Sequence, residues 1–464
     1  MTVLPEFDGL RALVVGFGLE GADLVRFLCE RGARVTVSDL RPPGRLQRSF
    51  EACAGCRYDA VLGQQPAPLA DAADAVFVSQ GVPLDIPLLR RARERGLPFL
   101  AQTALFFDLC PGRLVGITGS SGKTTTTSLV GAMLAAAGVP HEVGGNIGRP
   151  LLARLDAITP ETAVVLEVSH TQLLFTQRSP ALACVTNVTP NHLDRFTWAE
   201  YTALKQHLLD YQSPADVAVL NADDPASRER LATAARVRHF SLRSGDADAW
   251  LADGRCFLRS VPPHGRGPAG VAELLSAREI PLRGAHNVAN VLAAALVADS
   301  LGAPPETIAA AVRAFPGVPH RLEVVLQRHG VVWVNDSIAT TPERTLAAIR
   351  AFDEPLVLLL GGREKHLPLE TLVEAAGRRA RAVVTFGEAG PLLAAALRDG
   401  APRVRVVETA DLAAATAAAA EAAQEGDVVV LSPACTSFDA YDNFELRGEH
   451  FRALVRELTE APAR

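Results

Sequence analysis

From Thr118 to Thr125 the chain reads TGSSGKTT, a glycine–serine loop that ends on a lysine and a run of threonines. These residue types suit one chemistry, the binding of a nucleoside triphosphate. Main-chain N–H groups of Gly119, Ser120, Ser121 and Gly122 can face anionic oxygens, and Lys123 adds a cation for the terminal phosphates. A hydroxyl of Thr124 or Thr125 can meet Mg2+. The spacing is not the strict G-x-x-x-x-G-K-[ST], because Ile117 stands five places before Gly122. The shorter loop offers the same donors, and a β-like run before it and an amphipathic segment after it give the strand–loop–helix order that the task needs.

A second glycine loop lies near the start of the chain. LVVGFGLEGADLV places Gly16, Gly18 and Gly21 as G-x-G-x-x-G after an apolar run, and Asp39 follows VTVS at the distance of a ribose-binding carboxylate. Such a loop lays a pyrophosphate on a helix N-terminus. It does not tell NAD from UDP, so an NAD-dependent oxidoreductase stands beside a nucleotide-sugar binder at this point. Cofactor retention, or fluorescence quenching on NADH addition, separates the two. The CAGC stretch holds Cys53 and Cys56 without a second pair or a His cluster at metal spacing, and the other cysteines are scattered. They read as reduced thiols rather than a zinc site or a disulfide frame.

The elements that must carry these loops follow from the pattern of the chain. Its 464 residues suggest three domains, at roughly 150 residues each. Short Val-rich runs alternate with helix-like stretches in three successive series, beginning near residue 11, at RLVGITG (113–119) and after FPGVPH (315–320). That alternation predicts βαβ units and parallel sheets. The Ala-rich stretch 412–424 reads as a crossover helix, since Ala is the best helix former. SVPPHGRGPAG (260–270) reads as an exposed loop. A net charge of -6 and only 5% aromatic residues argue against nucleic-acid binding. MTVLPEFDGLRA lacks the pattern of a secretory signal, and no uncharged apolar run approaches a bilayer span, so a cytoplasmic protein without membrane partners is expected.

Eight stretches occur in a fixed order: GITGSSGKTTT, GGNIGRP, LEVSHTQL, NVTPNHLDRF, GAHN, PHRLE, NDSIATTP and LSPACTSFDAYDNFELRGEHF. In that order, and over nearly the whole chain, they resemble the Mur ligase family. Among its members they most resemble those that join D-glutamate to UDP-N-acetylmuramoyl-L-alanine. The resemblance implies an ATP-dependent amide ligase of peptidoglycan precursor synthesis, working through an acyl phosphate with ATP and two Mg2+ ions. Its partners would be small molecules only (the UDP substrate, glutamate and ATP), and the protein a monomer. The implied fold is α/β with three domains. They are a Rossmann-like UDP-binding domain over 1–101, a central P-loop ATPase-type domain with a mostly parallel sheet over 102–317, and a Rossmann-like amino-acid-binding domain over 318–464. A ligase for L-glutamate and a folylpolyglutamate-synthase-like ligase are the alternatives, and the second has no use for a UDP-binding module.

The resemblance also assigns residues. Lys123, Glu167, His192 and Lys205 match the catalytic positions, with Thr124, Glu167 and His192 toward metal and Lys205 a ligand once carbamylated. The loop Gly119–Thr125 with Asn287, Arg321 and Asp336 matches the ATP site. Gly18, Leu19, Glu20, Asp39, Arg41, Asn146, Ser169 and Gln172 match the side of the UDP substrate, which turns the first glycine loop from an NAD site into a UDP-sugar holder. Thr340, Lys365, Ser437 and Phe444 match positions around glutamate. Three departures stand out: Asn191 where many relatives carry Asp, His170 where they carry Ser, and Ile338 where many D-glutamate ligases carry Lys. Arg363 or His366 could compensate for Ile338, or the glutamate could lie differently.

Overall fold

The computed structural model describes residues 6–191, 196–260 and 270–460. Its Val- and Leu-rich runs form strands buried on both faces, as parallel strands covered by crossover helices must be. The first sheet contains β1 (Arg11–Val15), β2 (Arg34–Asp39), β3 (Tyr58–Leu62), β4 (Ala75–Val78) and β5 (Phe99–Leu100) in the order β3-β2-β1-β4-β5, every pair parallel.

The central sheet holds β6 (Arg113–Thr118), β7 (His141–Gly145), β8 (Ala163–Glu167), β9 (Leu182–Val185), β10 (Val217–Asn221) and β11 (Arg236–Ser241), joined by β12 (Ala249–Ala252), β13 (Arg255–Ser260) and β14 (Gly270–Ser276). Their order is β14-β13-β12-β11-β10-β9-β6-β8-β7, antiparallel only at the β12–β13–β14 edge. Residues 261–269, most of the expected loop, lie outside the described residues.

The third sheet contains β15 (Glu323–Arg328), β16 (Val331–Asn335), β17 (Leu356–Gly361), β18 (Ala380–Phe386), β19 (Arg405–Glu408) and β20 (Val428–Ala434), ordered β15-β16-β20-β17-β18-β19 with β15 alone antiparallel. The Ala-rich stretch forms the helix Leu412–Ala422 between β19 and β20, as expected.

By packing, the chain divides into two units, Met1–Ile280 with Val288–Phe315, and Pro281–Asn287 with Pro316–Arg464. In the first unit, two sheets share one apolar core that includes Phe27, Leu105, Phe106, Leu152 and Leu166. In the second, Leu358, Leu360 and Val383 pack on one side of the sheet and Val357, Leu359 and Val384 on the other.

Parallel sheets put their ligand-binding loops at the carboxyl ends of strands, beside points where the strand order reverses. Here β1 and β4 are neighbours although two strands separate them in sequence. The loop Gly16–Gly18 after β1 and the Ser79–Gln80 pair after β4 therefore meet. A Cβ on Gly21 would sit 2.0 Å from the Gly16 carbonyl oxygen, so the helix Leu19–Glu30 can pack this close to the loop only with glycine there.

Candidate active site

The loop between β6 and the helix Lys123–Ala136 is shaped by two glycines. Gly119 has φ +152° and Gly122 has φ +79°, and an added Cβ would come within 2.0 Å of Thr186 Oγ1 or 2.3 Å of Asn290 Oδ1. The residues after β9 fasten the loop from one side. Ser120 N donates to Asn187 O at 2.9 Å, Ser121 N to Asn187 Oδ1 at 3.0 Å, and Thr186 Oγ1 to Ser121 O at 2.6 Å. Lys123 Nζ turns back over the loop and donates to Gly119 O at 2.9 Å and Ser120 O at 3.3 Å. Of the two threonines, Thr125 is buried and Thr124 half-buried.

Beneath this loop lie a buried lysine and a buried glutamate. Lys205, from the helix Trp198–Gln206, is buried and donates to Thr118 Oγ1, which itself donates to Val168 O at 2.8 Å. Glu167 ends β8 and is 3% exposed. Its Oε1 accepts from Asn146 Nδ2 at 2.8 Å, while Oε2 is buried with no hydrogen-bond partner among the described residues. An unpaired buried carboxylate oxygen is costly, and a cation is the partner that satisfies it. Among the described residues no group of three or more His, Cys, Asp or Glu forms a metal cage. A buried carboxylate such as Glu167 suits Mg2+, which is usually held by one or two carboxylates together with substrate phosphates and water. His192 lies outside the described residues.

On the first sheet, Asp39 is a structural hub. Its Oδ2 accepts from Phe17 N at 2.7 Å and from the Arg41 guanidinium at 2.7 Å, and its Oδ1 accepts from Arg41 N at 2.8 Å. Burial alone would push its carboxyl up, but the Arg41 and Phe17 hydrogen bonds outweigh that and hold it below the usual carboxylate range. Arg41 keeps half its side chain in solvent beside Gly18, and Leu19 is exposed. Glu20 is drawn into the central domain, where its Oε1 accepts from Gln172 Nε2 at 2.8 Å. Ser169 and Gln172 form a capping box on the short helix His170–Leu173. The structure thus brings Glu20, Asn146, Ser169 and Gln172 together, and it adds Gln80, which touches this group and was not singled out in the sequence.

In the second unit, the loops after β16, β20 and β17 carry Asp336 and Thr340, Ser437, and Lys365. Lys365 Nζ donates to Thr340 Oγ1 at 3.4 Å. Burial, then the charge of Arg344, lower the Lys365 pKa. Arg344 Nη1 donates to the Ile338 carbonyl at 3.1 Å. Of the two residues that could offset Ile338, Arg363 Nε donates to Glu388 Oε2 at 2.8 Å and His366 Nδ1 is 3.0 Å from Glu364 Oε1. Asp336 accepts from Ser432 Oγ at 2.9 Å and Leu322 N at 3.2 Å, and Arg321 is near enough to act on its charge. Asn287 Nδ2 donates to Arg283 O at 2.7 Å. Phe444 begins the helix Phe444–Glu460, and its carbonyl accepts from Ser337 Oγ at 2.8 Å. Arg447, fully buried and also missed in the sequence, laces the three strand ends by donating to the carbonyls of Ser337, Gly361, Cys435 and Thr436. Burial holds its pKa down at about 10.

Three family models match the chain: Mur ligase MurD-like, N-terminal domain over residues 10–101, Mur ligase middle domain over 117–298, and Mur ligase, glutamate ligase domain over 320–435. Over 454 residues the chain is 42% identical to the UDP-N-acetylmuramoylalanine--D-glutamate ligase of Symbiobacterium thermophilum, covering 97% of this chain and 98% of that one. It is 40% identical to the protein of the same name from Acidobacterium capsulatum, covering 97% of each. The solved UDP-N-acetylmuramate-alanine ligase of Thermotoga maritima shares the fold, with a TM-score of 0.63 at 18% identity, covering 97% of this chain and all of that one. A murein peptide ligase of Psychrobacter arcticus does so with a TM-score of 0.54 at 17% identity, covering 98% of this chain and all of that one. With matches of this extent across all three sheets, the chain belongs to the Mur ligase family of ATP-dependent ligases.

Proposed function

We propose that this enzyme joins D-glutamate to UDP-N-acetylmuramoyl-L-alanine, with L-glutamate as the competing amino acid. The observation that carries the reading is the 42% identity, over nearly all of both chains, to a relative named for that reaction. Lys123 on the glycine–serine loop, with Glu167 and Lys205 buried beneath it, supports it. On this reading the boundaries 1–101, 102–317 and 318–464 separate UDP-substrate, ATP and amino-acid domains. The protein works as a cytoplasmic monomer on small molecules. Among the described residues no helix is long and apolar enough to cross a membrane.

The chemistry follows from a carboxylate being a poor electrophile. The substrate's alanyl carboxylate attacks the γ-phosphorus of ATP, ADP leaves, and an acyl phosphate results. The glutamate amine then attacks the acyl carbon, phosphate leaves and a proton is released. Bringing ATP to a carboxylate crowds negative charge, so the site must supply cations. The loop amides and Lys123 hold the phosphates, and Asp39 with Arg41 orients the UDP end. Thr124, Glu167 and, by the family resemblance, His192 would hold Mg2+, which neutralises charge between phosphate and carboxylate when bound. Lys205, once carbamylated, would add a second anionic ligand suited to a second Mg2+. Lys365, Thr340, Ser437 and Phe444 receive glutamate. Asn287, Arg321 and Asp336 serve the nucleotide.

The test is phosphate release from ATP with UDP-N-acetylmuramoyl-L-alanine, comparing D-glutamate, L-glutamate and no amino acid. Turnover with D-glutamate alone is expected. Turnover with L-glutamate alone rewrites the specificity, and none with either, from folded protein, removes the assignment.

A further inference from the structure

Glu167 presents its two carboxylate oxygens differently, because Asn146 donates to Oε1 alone, and Asn146 is itself bonded to Gln80 from the loop after β4. Gln80 follows β4, and its Nε2 donates to Asn146 Oδ1 at 3.2 Å. Its Oε1 accepts from Ser169 Oγ at 2.9 Å and Thr171 Oγ1 at 3.2 Å. Ser169 Oγ also accepts from Gln172 N at 3.2 Å and lies 3.0 Å from Thr171 Oγ1, where either hydroxyl can donate. The Gln80 backbone N–H donates to Glu20 Oε2 at 3.2 Å. Asn146 completes the row by donating from Nδ2 to Glu167 Oε1.

A carboxylate only accepts hydrogen bonds. Asn146 must therefore turn its nitrogen to Glu167 and its oxygen to Gln80, and Gln80 must turn its nitrogen to Asn146 and its oxygen to the two hydroxyls. Every bond in the row runs one way, from the hydroxyls to Glu167. Without the Gln80 N–H only the carboxylate itself opposes a half-turn of the Asn146 amide, which would point its oxygen at Glu167. Glu167 would then lose the Asn146 donor on Oε1, and its two oxygens would no longer differ in this way.

We propose that Gln80 is a positioning residue for the metal site: it locks the Asn146 amide onto Glu167 Oε1, leaves Oε2 to face Mg2+, and ties that arrangement to the substrate loops of the first sheet. The inference rests on the Mg2+ role given to Glu167 above. Outer partners that orient metal ligands are worth about 10- to 100-fold in affinity.

The test uses Gln80→Glu, which keeps the shape and removes the donor, and Gln80→Leu, which removes both polar atoms. In each, the Mg2+ concentration for half-maximal ADP release rises about tenfold, and KM for glutamate stays within about twofold. Calorimetry shows the same order of loss in Mg2+-dependent binding of a non-hydrolysable ATP analogue. Because Gln80 acts through Asn146, Gln80→Leu combined with Asn146→Ala is no worse than Asn146→Ala alone. Melting temperatures report folding, and Gln80→Glu carries the test if Gln80→Leu is unfolded. An unchanged Mg2+ response in folded Gln80 variants, or additivity in the double variant, overturns the proposal. Glu167→Gln separates the two readings. If it keeps a normal Mg2+ response, the metal role and this inference fall together; if it loses that response while the Gln80 variants keep theirs, only this inference falls.

Discussion

The amine of Lys205 lies 3.0 Å from Thr118 Oγ1, on a residue only 1% exposed to solvent. Burial first, and then the charge of Lys123, push its pKa well below the ordinary lysine value, and Glu167 opposes this only in part. An uncharged amine is a nucleophile, so the same environment that disfavours ammonium favours attack on CO2, which gives a carbamate and a proton. Lys205→Ala is expected to lower kcat about 100-fold or more, the scale of losing an electrostatic group at the reacting centre. A small carboxylate such as acetate should restore part of it. Full activity in the unsupplemented variant would exclude Lys205 from the reaction.

The glutamate side chain needs a cation, and Ile338 cannot supply one. Arg344 stands six positions later, in the first turn of the helix Pro342–Arg350, and reaches back to the Ile338 carbonyl. Its charge also acts on Lys365, so the two cations share one neighbourhood. Arg344→Ala should raise KM for glutamate about tenfold, the loss of one charge-assisted contact of roughly 1.5 kcal/mol. KM for ATP and for the UDP substrate should stay as they were. Steady-state kinetics with each substrate varied in turn decides it. An unchanged glutamate KM leaves Lys365 as the cation for that carboxylate.

Local spacing made the two glycine loops legible, because a glycine loop between a strand and a helix aims its own backbone. Gly119, Gly122 and Gly21 each stand where a side chain would strike a neighbouring atom, and their positions could be read one by one. The three α/β series were legible for a similar reason, since strands buried on both faces read as continuous apolar runs. Gln80 was not legible. Its partner Asn146 is 66 positions away, and only the adjacency of β4 to β1, together with the packing of the first sheet on the central one, brings them together. Arg363 and His366 illustrate the converse. They were near Lys365 in sequence, but acids at 388 and 364 engage them. Arg447 escaped notice because an arginine fully buried among carbonyls has no sequence pattern of its own.

Asp336 gives the second unit a pH dependence of defined sign. Burial raises its carboxyl to about 7, with the Ser432 and Leu322 hydrogen bonds and the charges of Arg321 and Arg344 opposing. In the unfolded chain it titrates near about 3.9. Between those values the fold holds a proton that the unfolded chain has released, so stability falls as pH rises from about 4 to about 7 and this contribution is level above that. The slope is at most about 1.4 kcal/mol per pH unit. Asp336→Asn mimics the protonated acid at every pH. At pH 8 the variant should therefore melt above the wild type, and the gap should close as pH approaches 4. Thermal unfolding followed at both pH values provides the measurement. A gap of the same size at pH 8 and pH 4 would mean that Asp336 is ionised in the fold throughout, held so by Arg321 and Arg344 against its burial.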